Sequence, residues 1–501
     1  MNDRLASTSS PLACAGGGPS LAVTLVLTAA AGGMGWGIRG QYGHESGAMI
    51  AGLLVALVVG GLYCRGFSSL AVARMAALAA VGVSFGGAMT YGQTVGLTHD
   101  ADVVGNWAAL RWGMLGLAIK GGVWIGFAGL LMGVGLGGKR YDALEMLLVF
   151  FVLMGLHLLG VYLLNEPFHP EARQLPRVFF SGDWRWFPQR VDLEPRRECW
   201  GGYVFSLAGL WAYVAFVKRD AVARNLALCA VLAGAVGFPL GQSVQAYHAW
   251  NRDAFQTGWL GAIEPYMNWW NTMETIFGMT AGAGLGLGVW LCRARIALSR
   301  ERLGAGAEGV DLRPAAEVVL ALTHVAAITV WNFAYFPPLD RLADGTLAMG
   351  MLPLAMILGG RYGPYLMALP IVALPICGKT LRELAYYNAE ISRGAGWLVF
   401  VLLPLAATTG LALYWAKNDR GGQRGQQFAR QGLLLASWLY FWLNFGFFRF
   451  PWPWMAPTPR TPSAIVFSAC LLLLTAACFA GRLGGPGAKP PAAGGFAPSG
   501  G

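Results

Sequence analysis

The sequence predicts an all-α polytopic membrane protein with about fourteen transmembrane helices, the first eight forming two parallel four-helix repeats. Of the 501 residues, 56% are hydrophobic and only 12% are charged, whereas about a quarter of the residues of a soluble domain are charged. The charges gather in short clusters between apolar runs of membrane-spanning length. These two observations predict the fold class, and a recurring octapeptide indicates the duplication.

Fourteen apolar segments are long enough to be predicted as spans. They cover residues 20–38, 46–64, 69–92, 113–136, 144–164, 199–217, 222–241, 272–292, 315–336, 343–359, 363–378, 396–416, 431–449 and 462–480. The segments 343–359 and 363–378 are the shortest and are expected to form a hairpin. Lys and Arg are more frequent in the loops that share a side with both termini. This bias predicts cytoplasmic termini and a location in an inner or plasma membrane.

The duplication is visible in two similar octapeptides, Gly92–His99 and Gly241–His248. Glycine, glutamine, valine and histidine match between them, and Asn106-Trp107 is echoed by Asn268-Trp269. Each Asn-Trp pair precedes a helix with a G-x-x-x-G step, a pattern typical of close helix crossings. Two units of four spans keep the same orientation, which predicts a parallel repeat.

These observations divide the chain into five parts. They are a cytoplasmic tail over 1–19, a first repeat unit over 20–140, a second over 141–295 with an external loop at 165–198, a six-span bundle over 315–480, and a disordered tail over 481–501. Repeat symmetry is not visible beyond the second unit.

The first outward loop is the most distinctive single segment, because five glycines fall between Gly33 and Gly43. Such a backbone can be irregular at membrane depth if it lines a wet cavity. Exposed amides there, together with Arg39 and Gln41, would bind an anion. The alternative is a tight glycine turn in which Arg39 and Glu45 are interfacial anchors.

The repeated Gln and His residues predict a symmetric substrate site near the axis that relates the two units. Gln93 and Gln242 would bind the solute through their amides, and His99 and His248, with Glu45, would gate the site or carry protons. The alternative is that these residues cap helices or bond across them and record only the duplication.

Lys120 lies eight residues into a predicted span, where a lysine is costly unless it faces the bundle and meets a partner. Glu274, at the top of the eighth span, is the candidate partner, and both are included among the predicted substrate-binding residues. Snorkelling of the lysine toward the interface is the alternative.

The favoured function is a permease or secondary transporter for a small, anionic solute. The alternative is a membrane-embedded transferase or hydrolase acting on a lipid or glycan at the outer face, with acid–base residues drawn from His44, Glu45, Asp100 and Asp253. A structural subunit of a larger complex is a third interpretation. The sequence does not decide whether the chain is an enzyme.

The expected partners are the lipid bilayer and a small-molecule solute, and homo-oligomerisation is left open. The net charge of +11 comes from residues in membrane-flanking loops, which indicates topology and not nucleic-acid binding. The eight cysteines are scattered without a C-x-x-C motif, and no histidine spacing favours a metal site. Glycine patterns inside apolar spans lack the context of a nucleotide loop, so no cofactor is expected.

Overall fold

The chain is a multi-pass α-helical membrane protein. A computed structural model describes residues 18–299, 309–333, 337–338, 346–419, 422–448 and 458–483. Most of the two predicted tails, 1–19 and 481–501, lies outside the described residues. Within them, eleven helices are long and apolar enough to cross a membrane.

Sixteen helices follow one another along the described ranges. In chain order they are α1 (Leu21–Arg39), α2 (Ala48–Tyr63), α3 (Ser69–Ala88), α4 (Gly92–His99), α5 (Trp107–Leu136), α6 (Ala143–Leu164), α7 (Trp200–Val217), α8 (Ala221–Trp250), α9 (Gly258–Ile263), α10 (Trp269–Leu298), α11 (Pro314–Phe333), α12 (Thr346–Gly359), α13 (Gly363–Tyr387), α14 (Arg393–Asn418), α15 (Gly425–Phe448) and α16 (Thr461–Phe479).

The count of fourteen predicted spans is too high for the described residues, although each predicted segment overlaps a helix. Three of those helices do not qualify as spans. α2 has only 16 residues, α12 is described over 14 residues from Thr346, and α15 carries several polar residues in its first half. α2 is therefore shorter than the roughly 20 residues that cross a bilayer.

Helices begin where short polar side chains satisfy the free N–H groups of the first turn. Ser20 accepts a hydrogen bond from the backbone of α1, and Ser68 does the same for α3. Asn106 and Asn268, the two copies of the Asn-Trp pair, cap α5 and α10. The duplicated asparagines thus have the same local role at equivalent helix starts.

Some helices are central and others face the surroundings. In the most apolar 18-residue stretch of each helix, 94% of the residues are buried in α3 and 89% in α5. In α6 and α11 only 17% of these residues are buried. Since both α6 and α11 are strongly apolar, their exposed sides suit contact with lipid.

Glycine brings the central helices into close contact, as predicted from the G-x-x-x-G steps. Gly122 and Gly126 of α5 both face Val231 of α8. Near the same crossing, Gly121 and Gly234 stand so close that a Cβ atom on either would overlap the other's carbonyl oxygen. α1 and α10 cross in the same way. Such contacts exclude any larger residue at the crossing points.

The two octapeptides do not have the same local structure. Gly92–His99 forms the separate short helix α4, whereas Gly241–His248 is part of the continuous thirty-residue helix α8. The parallel four-helix repeat and the proposed division into units remain predictions.

The glycine-rich first loop is shorter than expected. α1 continues through Gly33 and Gly37 to Arg39, and only residues 40–47 are irregular. Gly35 packs against Ala51 of α2. The interpretation of these glycines as an irregular anion-binding backbone is therefore wrong for most of the segment, because they serve close helix packing instead.

Candidate functional site

A buried ion pair joins the ends of α1 and α10. Arg39, the last residue of α1, is 1% exposed, and its guanidinium donates to Glu274 Oε1 at 2.7 Å. It also donates to the Tyr91 hydroxyl at 3.0 Å and to His44 Nδ1 at 2.8 Å. We call Arg39, His44, Tyr91 and Glu274, with Trp270, the Arg39 cluster.

Aromatic rings enclose the guanidinium of Arg39. Its carbon lies 5.0 Å from the ring centre of Trp36, 5.4 Å from that of Trp124 and 5.7 Å from that of Tyr91. Ring faces stabilise a desolvated cation by about 2 kcal/mol or more. The cation is therefore held by aromatic rings as well as by Glu274.

The ion pair leaves polar atoms unused. Glu274 Oε1 accepts from both Arg39 and Trp270, but Glu274 Oε2 and Arg39 Nε have no hydrogen-bond partner in the described part of the chain. The side-chain amide of Asn271 donates to the carbonyl oxygen of Gly37, which leaves its own buried oxygen without a partner. Buried polar atoms are nearly always paired, so each exception needs an explanation.

His44 is held in its neutral form. Arg39 can only donate, so His44 Nδ1 must accept, and the ring carries its hydrogen on Nε2. The outer part of the ring is exposed, but partial burial and the positive charges of Arg39, Lys379 and Arg196 lower the pKa of His44. Burial raises the pKa of the neighbouring Tyr91 hydroxyl. The positive charge of Arg39 lowers this pKa and the negative charge of Glu274 raises it, and the net effect is an increase.

Gln242, in the second octapeptide, contacts α4. Its amide nitrogen donates to Thr98 Oγ1 at 2.7 Å, and that hydroxyl in turn donates to the carbonyl oxygen of Val95. These two hydrogen bonds run in one direction, so the Gln242 amide nitrogen must face Thr98. The buried oxygen Oε1 of Gln242 faces away from Thr98 and has no partner among the described residues. Gln242 is 0% exposed.

His99 follows Thr98 and connects this contact to the Arg39 cluster. Its ring lies 6.5 Å from that of Trp270, which donates to Glu274. His99 Nδ1 lies 3.0 Å from the carbonyl oxygen of Val95. The structure therefore brings Arg39, Gln242 and His99 to one end of the bundle, around α1, α4, α8 and α10.

The remaining members of the two predicted Gln/His pairs have other partners. Gln93 uses both ends of its amide on the 165–199 segment, donating to Glu194 O and accepting from Arg196 N. His248 Nε2 lies 2.8 Å from Glu264 Oε1, and its ring stacks on Trp269. The two pairs thus contact different groups, and their use as a symmetric site remains a prediction. Gln41 lies half-buried in the turn that follows α1.

The expected partner of Lys120 was wrong. Lys120 Nζ lies 2.6 Å from Glu198 Oε1, and Glu274 is paired with Arg39 instead. Both partners of this second pair are fully buried, with at most 1% of either side chain exposed. Glu198 lies at the end of the long segment between α6 and α7, so the span lysine reaches a carboxylate that folds in from a loop.

Two of the acidic residues proposed for an enzyme, Asp100 and Asp253, are more open to solvent than the Arg39–Glu274 pair. Asp100 is 54% exposed and lies 3.9 Å from His99. Asp253 is on the exposed turn Arg252–Phe255. Across the described ranges, no group of three or more His, Cys, Asp or Glu residues is placed to hold a metal ion.

Sequence reasoning missed the aromatic and loop members of the site. Tyr91 directly precedes the first octapeptide, and Trp36 stands one helical turn before Arg39. The i, i+3 spacing of Trp36 and Arg39 on a helix is a signal that could have found the aromatic contact. Glu198 carried no such signal, because its partner is distant in sequence.

No family model, no curated protein and no solved structure matches the chain.

Proposed function

We propose that the chain is a multispan permease that moves a small anionic solute together with a proton, with Arg39 and Glu274 as the binding switch. The observation that carries the proposal is this membrane-buried ion pair with an unused polar atom on each partner. Ionisable residues inside a membrane are costly and usually mark a transport path. We place this end of the bundle at the outer face of an inner or plasma membrane.

Charge balance determines what the pair can bind. Arg39 is already neutralised by Glu274, so an anion that approached the guanidinium would meet a carboxylate of the same sign. Protonation of Glu274 removes that repulsion and frees Arg39 for a carboxylate or phosphate oxygen, the groups that a guanidinium binds best. Anion and proton would thus enter together and leave the site with its original net charge.

Two side-chain amide oxygens without partners would bind the part of the solute that is not the anionic group. The free oxygens of Asn271 and Gln242 are acceptors whose orientation is fixed by their own donor ends. A solute that carries a hydroxyl or amine besides its anionic group would satisfy them. In the proposed arrangement this solute occupies a polar space between the two four-helix units, with His99 beside it.

Uptake into proteoliposomes tests the proposal. Wild-type chain would be reconstituted and given radiolabelled lactate or phosphate, with and without an acidic exterior. We expect accumulation of at least one anion only when the pH gradient is present. In Glu274→Gln the gradient should no longer drive accumulation, whereas counterflow of the anion should persist and should not depend on pH.

Matched variants separate this outcome from a general defect. Glu145→Gln removes the carboxylate of another salt bridge, that with Lys218, and should accumulate the anion as the wild type does. The double variant Arg39→Gln/Glu274→Gln removes both charges together and should insert normally but bind no anion. Wild-type behaviour of Glu274→Gln, or no uptake of any anion by the wild type, would contradict the proposal.

A further inference from the structure

A small internal cavity lies apart from the Arg39 cluster, where α2 and α3 meet α11, α12 and α13. Its volume is about 30 Å³, and most of its lining is apolar. The polar side chains in the lining are Glu45, Ser46, Ser84 and His324. An apolar pocket with a few convergent polar groups is the usual form of a binding site.

His324 is the unusual member of this lining. It lies on α11 with 3% of its surface exposed, and neither ring nitrogen has a hydrogen-bond partner in the described part of the chain. A neutral imidazole presents one donor and one acceptor. Leaving each of them unpaired in a buried place costs about 1–3 kcal/mol, so the cavity must contain the partner.

The cavity has the size and polarity to hold water. A water molecule needs about 10–15 Å³ of such space and two to four polar partners, so about two would fit. The Ser84 hydroxyl donates to the carbonyl oxygen of Val81 and keeps its lone pairs available. With Glu45 and His324, it completes the set of partners that a buried water requires.

We infer that His324 and Glu45 form a hydrated proton-binding site, in which internal water bridges the imidazole to the carboxylate. When the Glu45 carboxyl gives its proton to the water and the water gives one of its own to the imidazole, the water is unchanged and an imidazolium stands beside a carboxylate. The reverse transfer through the water returns the proton to Glu45, so the exchange needs no other reactant.

Few other charges face this site. Around the cavity, α2, α3, α12 and α13 contribute only apolar side chains and the Ser84 hydroxyl in the described residues, so Glu45 and His324 are the titratable pair. Beyond it, Glu45 attracts Arg39 electrostatically. Glu45 therefore stands between the cavity and the Arg39 cluster. This hydrated site does not rest on the proposed function.

Nuclear magnetic resonance of the full chain in lipid nanodiscs, with ¹⁵N-labelled histidine, tests the site. The variant His324→Gln identifies the His324 signal, and His157→Gln identifies that of a partly buried histidine, which packs on Tyr203. We expect magnetisation to be transferred from water protons to the His324 ring signal. We also expect the imidazolium fraction of His324 in mildly acidic buffer to be several-fold smaller in Glu45→Gln and largely restored in Glu45→Asp.

The His157 signal is the control and should be the same in the wild type and in Glu45→Gln. The inference would be overturned if no magnetisation passed from water to the His324 signal. It would also be overturned if Glu45→Gln left the imidazolium fraction of His324 unchanged. Uptake assays distinguish this result from a failure of the permease proposal. If the wild type transports no anion but His324 responds as expected, the proton site stands and the permease proposal fails.

Discussion

Lys120 on α5 is bound to Glu198, at the end of the segment between α6 and α7, by a fully buried salt bridge of 2.6 Å. The ammonium also donates to Thr90 O at 2.6 Å and to Thr94 Oγ1 at 2.8 Å, so all three of its donors are used. Glu198 accepts in addition from the Phe180 backbone N–H and the Ser181 hydroxyl. Its complete pairing indicates a structural clamp and distinguishes it from the incompletely paired Arg39 and Glu274.

We expect Lys120→Met to destabilise the protein by about 3–5 kcal/mol, because Glu198 would be left buried without its cation. Thermal unfolding in detergent and limited proteolysis of residues 165–199 would measure the loss. Lys218→Met is the control, since its partner Glu145 is partly exposed and such pairs contribute about 0–1 kcal/mol. Equal losses in the two variants would show that the Lys120 clamp has no special role.

Replacing both members of the clamp should be milder than replacing one. In Lys120→Met/Glu198→Met no uncompensated buried charge remains, so we expect the double variant to unfold at a higher temperature than Lys120→Met. A double variant less stable than the single one would contradict the clamp as the source of the loss. Unfolding curves of the two variants in the same detergent make the comparison.

The crossing of α5 and α8 should not tolerate a side chain at Gly234, because a Cβ atom there would overlap the Gly121 carbonyl oxygen. We expect Gly234→Val to lower stability by about 1–3 kcal/mol or more through overpacking. Gly155→Val is the matched control, because Gly155 is a helical glycine with open space around its Cβ position. Circular dichroism melting curves would compare them, and equal melting temperatures would argue against the close crossing.

Stability should fall on acidification through His44. The folded protein lowers the pKa of His44 below its ordinary value of 6.5, so in mildly acidic solution the unfolded chain binds a proton that the folded chain does not. The stabilisation is complete above that ordinary pKa and is lost as the pH falls toward the folded value. The melting temperature of His44→Gln should therefore decrease less between pH 7 and pH 5 than that of the wild type.

His169→Gln is the control for this measurement, because His169 is an exposed histidine. Its variant should keep the wild-type dependence of melting temperature on pH. An identical pH dependence in His44→Gln and the wild type would show that the contact between Arg39 and His44 does not control protonation.

The two duplicated glutamines should act independently on stability, since they belong to different hydrogen-bond networks. Gln93→Leu removes the contacts with Glu194 and Arg196 and should speed proteolysis of that segment. Gln242→Leu removes the contact with Thr98 and should leave the segment protected. Residues without shared partners have additive effects to within about 0.5 kcal/mol, so clear non-additivity in the double variant would favour a shared site.

The local features of this chain were predictable because they depend on neighbours in sequence. Apolar runs of sufficient length located the helices, and Asn106 and Asn268 mark the starts of α5 and α10. The G-x-x-x-G steps correctly indicated close crossings. For the described residues the number of spans was overestimated, because an apolar segment such as Ala48–Tyr63 can be a short helix that other helices cover.

By itself the sequence determined a multi-pass helical membrane protein with polar residues concentrated at a few helix ends, since hydropathy and helix spacing are properties of local segments. Only the tertiary structure decided which charges meet. It paired Arg39 with Glu274 and Lys120 with Glu198, and it left His324 facing a cavity. A buried cation needs an anion within a few ångströms. Which carboxylate comes that close depends on how helices distant in sequence pack together.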